Sequence, residues 1–267
     1  MKNIAKKVLV VLMAVLMIGA MAACAPAADS DTKTVSLGTS ADYPPFEFIY
    51  LDDQGAQQYA GIDVSLAKKL AADMDAELNV VNMNFDSLMA SLEKGDVDFV
   101  IAAVEVTGDR LKSADFSEPY YTDLPAMILV KADKAAEFTS IESFANKNVG
   151  AQSGTTKADI VNNDMPGAKF VGLTSVIDLV NELMYGKCDA IVLDGAVAMD
   201  YAASNSELVV ADVALGEALP FCVAVQKGDP KGLLESINKS IADALSQGLV
   251  DQWVAEADEL SSKALEG

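Results

Sequence analysis

One pattern occurs twice in this chain and limits what it can fold into: an amphipathic helix, then a glycine, then a buried strand. In the first half, FDSLMASLEKG (85–95) places two leucines four residues apart and ends at a glycine, and DVDFVIAAV follows. In the second half, VIDLVNELMYG (176–186) is followed by KCDAIVLD. The apolar spacing predicts a helix that ends at a left-handed glycine, and the unbroken apolar run predicts a strand covered on both faces. The repeat therefore predicts an α/β chain with two similar units.

Further helices and strands are predicted around these two units. A strand at 35–39 precedes a helix in the first half, and a strand at 148–152 leads through SGTT into a helix from Lys157. Near the end, Gly248 closes another helix and Trp253 lies on a short amphipathic turn. The apolar stripes of the helices are predicted to be Ile62, Leu66, Leu70 and Met74; Ile177, Val180 and Met184; and Leu233, Ile237, Ile241 and Leu245. Such stripes are typical of helix faces that pack into a core.

The N-terminal segment 1–23 is predicted to be a secretory signal peptide. Lysines precede an apolar run at 8–18, which is shorter than the roughly 20 residues of a membrane span, and small residues precede Cys24. The residues before Cys24 resemble a bacterial lipobox, with Met21 in place of the more usual Leu. Cys24 is therefore predicted to carry lipid, and residues 24–33 to form a flexible tether. Ordinary cleavage, which leaves Cys24 as a free thiol, is the alternative.

The composition argues against several classes of function. The formal net charge is −21, and loss of segment 1–23 with its three lysines changes it to −24, which argues against nucleic-acid binding. This charge either keeps the protein soluble or steers cationic ligands toward a cleft. The chain has no histidine, so His-dependent triads and His-ligated metals are excluded, and no metal or cofactor is predicted. Cys188 and Cys222 are interpreted as small core residues, with a disulfide between them as the alternative.

Charged side chains follow the first of the two buried strands. Glu105, Thr107 and Arg110 come directly after DVDFVIAAV. In open α/β sheets, ligands bind in the crevice beyond the carboxyl ends of the strands. An acid and a guanidinium at such a place predict recognition of a small zwitterion, because its carboxylate and its ammonium both lose water on binding and need charged partners.

Five motifs in this chain resemble one protein family. The first match comprises Thr107, Arg110, Asp115, Phe116, Ser117, Pro119, Tyr120 and Tyr121. The others are YPPFEF (43–48), GIDVSLAKKLA (61–71), VGAQSGTT (149–156) and CDAIVLD (188–194). Together they resemble the family 3 extracellular solute-binding proteins, the amino-acid receptors of ABC importers, in the expected order along almost the whole mature chain.

The resemblance implies a two-lobed periplasmic-binding-protein-like fold of the α/β class. Each lobe would hold a mixed sheet flanked by helices, and the ligand cleft would lie between the lobes. The chain would enter lobe 1, cross a hinge to lobe 2 and return by a second hinge. The implied ranges are 34–125 with 218–260 for lobe 1, 126–217 for lobe 2 and 261–267 for a C-terminal tail, with crossings near 121–126 and 217–221.

The resemblance also implies roles for the candidate ligand-binding residues. Arg110 would hold the ligand carboxylate, assisted by the SGTT turn with Thr155 and Thr156, and Asp194 would take the α-ammonium from the opposite lobe. Tyr43 would form an aromatic platform for the ligand side chain. The remaining pocket candidates are Ser40, Ile62, Ala103, Glu105 and Gln152. Ile62 departs from the family, which commonly has Phe there, so one ring and an alkyl wall would enclose the side chain.

Glu105 is a second departure, because the family more often has Ser or Thr at this position. An acid in a desolvated cleft needs a cationic partner. With Asp194 assigned to the α-ammonium, Glu105 could meet a side-chain cation, which predicts lysine, arginine or ornithine as ligand. Alternatively, Glu105 pairs with Arg110 or a lysine and holds the loop.

The sequence favours a binding protein over an enzyme. The predicted protein is a monomer, lipid-anchored at the outer face of the cell membrane or in the periplasm. It delivers a polar and by preference cationic amino acid to an ABC permease and its ATPase, which are separate chains; a neutral amino acid is the alternative ligand. Less favoured are a cyclohexadienyl dehydratase-like enzyme, with Glu105 as proton donor, and a sensory module that reports ligand to a separate partner.

Overall fold

The structure is a computed structural model and describes residues 33–261. The predicted signal peptide, Cys24 with most of the tether, and residues 262–267 lie outside the described residues. Within residues 33–261, each helix is too short or too polar to cross a lipid bilayer.

Helices and strands alternate through most of the described chain. The strands are β1 Thr34–Thr39, β2 Asp42–Tyr43, β3 Glu47–Leu51, β4 Gln57–Ala60, β5 Glu77–Asn82, β6 Phe99–Val100, β7 Ala114–Phe116, β8 Tyr121–Thr122, β9 Met127–Lys131, β10 Asn148–Gln152, β11 Lys169–Leu173, β12 Ala190–Leu193, β13 Leu208–Val210, β14 Pro220–Phe221 and β15 Ala224–Gln226. The helices are α1 Ile62–Asp73, α2 Phe85–Lys94, α3 Arg110–Ser113, α4 Thr156–Asp164, α5 Val176–Met184, α6 Gly195–Ser204, α7 Leu234–Ser246 and α8 Leu249–Ser261.

Two five-stranded sheets are built to the same plan. The first has the order β5-β1-β6-β15-β7, in which β5, β1 and β6 are parallel and β15 is antiparallel to both neighbours. The second has the order β11-β10-β12-β9-β13, with β11, β10 and β12 parallel and β9 antiparallel to both neighbours. We call the first sheet with its helices lobe 1 and the second lobe 2. The predicted α/β class is confirmed, and the repeated helix–glycine–strand unit supplies the middle strand of each sheet.

The two segments that run between the lobes pair with each other. Strand β8 leads from lobe 1 toward β9, β14 leads back to β15, and their residues Tyr121 and Phe221 lie opposite one another in an antiparallel pair. Phe46 packs against both, with its ring centroid 5.5 Å from that of Tyr121 and 5.2 Å from that of Phe221. The two crossings are therefore held side by side beneath the loop that carries YPPFEF.

The middle strand of lobe 1 is shorter than predicted. DVDFVIAAV was expected to be extended throughout, but only Phe99–Val100 is a strand, although the whole segment from Phe99 to Glu105 is buried. Ala103 adopts a left-handed backbone conformation with φ 46°, and its N–H donates to Asp63 Oδ2 at 2.7 Å instead of to a neighbouring strand. A buried side chain thus ends the strand, which periodicity alone could not indicate.

Two helix predictions were wrong in detail. In α5 the buried stripe is Val176, Leu179 and Leu183, one residue before the predicted Ile177, Val180 and Met184, which are partly buried. Apolar residues at adjacent positions made both stripes possible, and packing chose between them. In α7, Ile237 and Ile241 are buried as predicted, but Leu245 is 49% exposed.

The last helix is also longer than predicted. The short amphipathic turn expected around Trp253 is a helix of 13 residues, Leu249–Ser261, which buries Val250 and Ala257. Trp253 and Val254 pack partly buried against the core of lobe 1. The helix continues beyond Trp253, on which the prediction rested, because Ala257 is buried as well as Val250 and the segment has few helix-breaking residues.

Gly61 allows the YPPFEF loop to lie directly on the start of α1. Its φ is 116°, and a Cβ placed on it would lie 2.0 Å from the carbonyl oxygen of Phe46. The same carbonyl accepts the N–H of Asp63 at 2.9 Å. Only a glycine fits this approach, which brings Tyr43 and the Asp63 carboxylate to the end of β6.

Cys188 and Cys222 are free thiols, and both are buried. Burial raises the pKa of each to about 11, so neither is a thiolate near neutral pH. Between the alternatives left by the sequence, the structure favours core residues over a disulfide.

Candidate functional site

Most of the candidate residues meet in one cleft between the lobes. Its lining comprises the candidates Tyr43, Ala103, Glu105, Arg110, Gln152, Thr155, Thr156 and Asp194, together with Glu47, Phe85, Ala102 and Lys157. The space they enclose measures about 10 Å³, which is close to the room that one water molecule needs. The side chains of the cleft are therefore in direct contact with one another.

Ser40 and Ile62 do not line the cleft. Ile62 is the first residue of α1 and is fully buried in the core of lobe 1, so it cannot form the predicted alkyl wall. The Ser40 hydroxyl donates to Asp42 Oδ1 at 3.2 Å, and Asp42 Oδ2 accepts the N–H of Val176 in lobe 2 at 2.8 Å. Ser40 thus supports a hydrogen bond between the lobes.

An ion cluster occupies the centre of the cleft. The Lys157 Nζ atom lies 2.5 Å from Asp194 Oδ1 and 3.1 Å from Glu105 Oε1, and all three residues are at most 7% exposed. Thr156 donates its hydroxyl to Glu105 Oε2, and the Tyr43 hydroxyl donates to Asp194 Oδ2 at 2.7 Å. The cluster joins the lobes, because Tyr43 and Glu105 belong to lobe 1 and the other three residues to lobe 2.

The pKa values of the cluster reflect burial and mutual charge. Burial raises the pKa of Asp194 above its ordinary value, although the Lys157 ammonium opposes this. Burial acts to lower the pKa of Lys157, but the Asp194 and Glu105 carboxylates outweigh it and the pKa is raised overall. Burial and the Asp194 charge raise the pKa of Tyr43, so its hydroxyl stays protonated and donates. Lys157 is therefore an ammonium held between two acids.

Arg110 contacts backbone carbonyls from both lobes. One guanidinium nitrogen donates to the Glu105 carbonyl at 2.7 Å and another to the Gly154 carbonyl at 3.1 Å, while the guanidinium carbon lies 5.3 Å from the centre of the Phe85 ring. Among residues 33–261, no carboxylate forms an ion pair with Arg110. The acids nearest to it in sequence, Asp109 and Asp115, pair with Lys112 and Lys227. The guanidinium thus lies at the edge of the cleft without a salt bridge, although burial lowers its pKa and the charges of Glu105, Asp159 and Asp194 oppose this.

The SGTT turn brings the N-terminus of α4 to the cleft. Thr155 caps the helix, because its Oγ1 accepts the N–H of Ala158 at 3.3 Å, and the same hydroxyl donates to the Gln152 carbonyl at 2.7 Å. The Gln152 side chain donates to the Thr174 carbonyl at 3.0 Å, within lobe 2. The first N–H groups of α4 and its positive dipole end therefore lie beside Arg110, an arrangement suited to an anion.

Lys157 was missed by the sequence reasoning. It is the second residue of α4, where the helix dipole disfavours a cation. That unfavourable position directly after SGTT was a signal of nearby acids, although a weak one, because the helix dipole contributes only about 0.3–1 kcal/mol. The sequence could not say that the acids are Glu105 and Asp194, which lie in other parts of the chain.

A second pair of acids lies beneath the cleft in lobe 1. Asp63 Oδ1 accepts the Tyr120 hydroxyl and Oδ2 accepts the Ala103 N–H, both at 2.7 Å. Burial raises the pKa of Asp63 to about 6. Burial and the neighbouring Asp63 charge raise the pKa of Glu47 well above its ordinary value. Glu47 therefore keeps its proton to higher pH than an exposed glutamate does, and it lines the cleft beside Asp63.

The features above define a class of protein. Two α/β lobes of the same plan face one another across a cleft, with the Arg110 guanidinium on one side and buried carboxylates from both lobes. This is the architecture of the two-lobed periplasmic binding proteins. The chain matches the bacterial extracellular solute-binding proteins of family 3 over residues 35–256. It belongs to this family, and the predicted family is confirmed.

Several relatives are named for the amino acid that they bind. The chain is 31% identical to ABC transporter arginine-binding protein 1 of Escherichia coli (strain K12), over 84% of this chain and 92% of the relative. It is 32% identical to the arginine-binding extracellular protein ArtP of Bacillus subtilis (strain 168), over 92% and 96%. Its fold is similar to that of AbpA from Streptococcus pneumoniae bound to L-arginine, with a TM-score of 0.82, 30% identity, and coverage of 87% and 97%. These relatives are binding proteins of amino-acid transport.

The buried acids of lobe 1 generate a prediction about pH. Because Glu47 and Asp63 keep their protons to higher pH in the folded protein than in the unfolded chain, the free energy of unfolding should fall as the pH rises from about 4 through 6 and above. Glu47→Gln cannot ionise in either state. Its melting temperature should fall less than that of the wild type between about pH 5 and pH 8, measured by differential scanning calorimetry.

The matched control is Glu77→Gln, which removes an exposed acid from edge strand β5 of the same lobe. Its pH dependence should follow the wild type. Parallel melting curves for the wild type and Glu47→Gln would show that Glu47 is already ionised in the folded protein.

Proposed function

We propose that this protein is the extracytoplasmic receptor of an amino-acid ABC importer and that its ligand is a cationic amino acid: arginine, lysine or ornithine. The observation that carries the proposal is the convergence of the Glu105 and Asp194 carboxylates in one buried cleft, beside the Arg110 guanidinium, which donates to backbone carbonyls and forms no salt bridge within residues 33–261. The names of the arginine-binding relatives support the same ligand class.

Each charge of such a ligand has a partner in the cleft. Arg110 takes the α-carboxylate through a bidentate contact, with the first N–H groups of α4 beside it. Asp194 takes the α-ammonium, and Glu105 takes the cation of the side chain. Tyr43 positions Asp194 through the hydrogen bond between them. Arg110, Asp194 and Glu105 together carry a net charge of −1 when Lys157 is not counted. A ligand of net charge +1 neutralises this charge.

Ligand binding holds the lobes together, because its partners come from both. Glu105 and Arg110 belong to the segment 34–125, which we assign with 218–260 to lobe 1, whereas Thr155, Thr156 and Asp194 belong to 126–217. A ligand that binds the closed arrangement more tightly than the open one shifts the population toward closure. The paired crossings β8 and β14 are the hinge, and the permease recognises the closed form.

A neutral polar amino acid is the second candidate ligand. The observation that favours it is the ion pair between Lys157 and Glu105 at 3.1 Å, which can stay intact when an α-ammonium replaces Lys157 at Asp194 alone. When Lys157 is counted, the two cations Lys157 and Arg110 balance the two acids Glu105 and Asp194. The cleft then has zero net charge, which matches a ligand of zero net charge. The two candidates therefore differ in whether Lys157 stays with Glu105.

The protein works outside the cytoplasmic membrane under this proposal. Segment 1–23 is removed as a signal peptide, and Cys24, which lies outside the described residues, carries the lipid that anchors the tether at 24–33. Several acyl chains are needed, because a single chain binds a membrane only marginally. The receptor is a monomer, and the permease and ATPase are separate chains.

The proposal is tested by a thermal-shift screen of residues 25–267, freed of endogenous ligand by unfolding and refolding. The screen contains the twenty amino acids, ornithine, citrulline and common polyamines. A ligand that binds only the folded state raises the melting temperature. We expect the largest shifts with arginine, lysine and ornithine. Shifts with neutral amino acids alone would favour the second candidate, and no shift with any amino acid would overturn the receptor assignment.

Arg110→Ala should remove most of the binding affinity for whichever amino acid the screen identifies. The variant leaves a desolvated carboxylate without its charged partner, which costs about 2–5 kcal/mol. Isothermal titration calorimetry measures the change. The control is Lys112→Ala, which removes an exposed cation from the same short helix. Near-normal affinity of the Arg110 variant would exclude Arg110 as the carboxylate partner.

Glu105→Gln should discriminate between the two candidate ligands. If Glu105 binds a side-chain cation, the variant should lose affinity for arginine by about 1.5–3 kcal/mol, while its affinity for glutamine changes little. Competition calorimetry with both ligands measures the ratio. The control is Glu93→Gln on the exposed part of α2. An unchanged arginine-to-glutamine ratio would limit Glu105 to holding the loop and Lys157.

A further inference from the structure

Lys157 is held by acids that the proposed function assigns to the ligand. Its ammonium is bonded to Asp194 at 2.5 Å and to Glu105 at 3.1 Å, and it lies 6.0 Å from the centre of the Phe221 ring. No favourable helix interaction explains this place, because the N-terminus of α4 repels a cation. The two carboxylates hold Lys157, and the ammonium of a ligand would need the same oxygen atoms.

Lys157 also lines a second and larger cavity. It measures about 580 Å³, and it shares Glu105, Thr156, Lys157 and Asp194 with the lining of the small cleft. Lys157 thus borders both a cleft of about 10 Å³ and a much larger space. A lysine side chain has four rotatable bonds, so its ammonium can leave the carboxylates without movement of α4.

The larger cavity can receive a displaced ammonium. Its lining includes two acidic residues, Asp164 at the end of α4 and Glu217 in the segment that precedes β14. The rest of its lining is mainly apolar, with Leu124, Ile141, Ile160, Leu215 and Leu219. The methylene groups of Lys157 would contact this apolar wall while the ammonium faces the acids, which is the usual way a long cationic side chain divides its environment.

We propose that Lys157 is an internal competitor for the cationic ligand and thereby sets the specificity of the site. In this arrangement the Lys157 ammonium pairs with both Glu105 and Asp194 from within the chain. A cationic amino acid displaces it into the larger cavity and takes over both carboxylates. This inference rests on the proposed function, since it concerns the same cleft and the same ligand class.

Competition by a tethered group lowers the apparent affinity, because the ligand must first release both acids from their partner. The effect depends on ligand charge. A cationic amino acid needs Glu105 and Asp194 and competes with Lys157 at both, whereas a neutral amino acid needs only Asp194 and leaves the pair between Lys157 and Glu105 intact. Lys157 therefore disfavours cationic ligands more than neutral ones.

Lys157→Met tests the proposal, because methionine is similar in length and carries no charge. Isothermal titration calorimetry should show that the variant binds L-arginine about tenfold more tightly than the wild type, with a smaller gain for L-glutamine. The control is Lys169→Met, which removes an exposed lysine from β11 of the same lobe. Unchanged or weaker arginine binding by a folded Lys157→Met variant would overturn the proposal.

The failures of the two proposals are distinguishable. If neither the wild type nor the variant binds any amino acid, the proposed function fails and this inference with it. If the wild type binds arginine and the variant gains nothing, only the inference fails.

A crystal structure of the wild type with L-arginine covers the case in which the variant does not fold. The proposal expects the Lys157 ammonium in the larger cavity and the ligand on Glu105 and Asp194. An ammonium that remains between the two carboxylates with arginine bound would overturn it.

Discussion

The buried ammonium of Lys157 is the interaction on which the cleft depends. Glu105 and Asp194 come from opposite lobes, and each buried ion loses several kcal/mol of hydration, so the two carboxylates cannot lie side by side in a dry site without a cation. Lys157 supplies that cation, while Thr156 and Tyr43 donate hydrogen bonds to the remaining carboxylate oxygens. The contact between the lobes is therefore electrostatic at its centre, and any ligand must reproduce or replace it.

The rest of lobe 1 is arranged so that Glu105 reaches this centre. Gly61 permits the YPPFEF loop to lie on α1, and α1 begins with the Asp63 carboxylate beneath the end of β6. Asp63 takes the N–H of Ala103, which turns the chain out of the sheet and leads it to the bridge between Glu105 and Phe221. The Asp63 carboxylate is buried where it accepts the N–H of Ala103. The same burial raises its pKa, and the same hydrogen bond accompanies the early end of β6.

Much of the fold was predictable, because it depends on local patterns. The repeat of helix, glycine and buried strand indicated two similar sheets, and the spacing of Leu88 and Leu92 defined the buried face of α2. The stripe of α5 was not predictable from apolar spacing alone, since neighbouring apolar residues left more than one face possible. The length of α8 was missed because the prediction rested on Trp253 and not on the buried Ala257 beyond it. The early end of β6 also escaped prediction, because it depends on a side chain about forty residues earlier.

The sequence by itself determined the α/β class, the two-unit plan and the kinds of charge available to a site: one arginine after the first buried strand and one acid after each. Only the tertiary structure decided which charges meet. Ile62 was expected at the ligand and lies in the core, while Lys157 was expected only at the start of a helix and lies between the two acids. The physical reason is that charge pairing acts over a few ångströms, and residues distant in sequence come that close only when both lobes have packed.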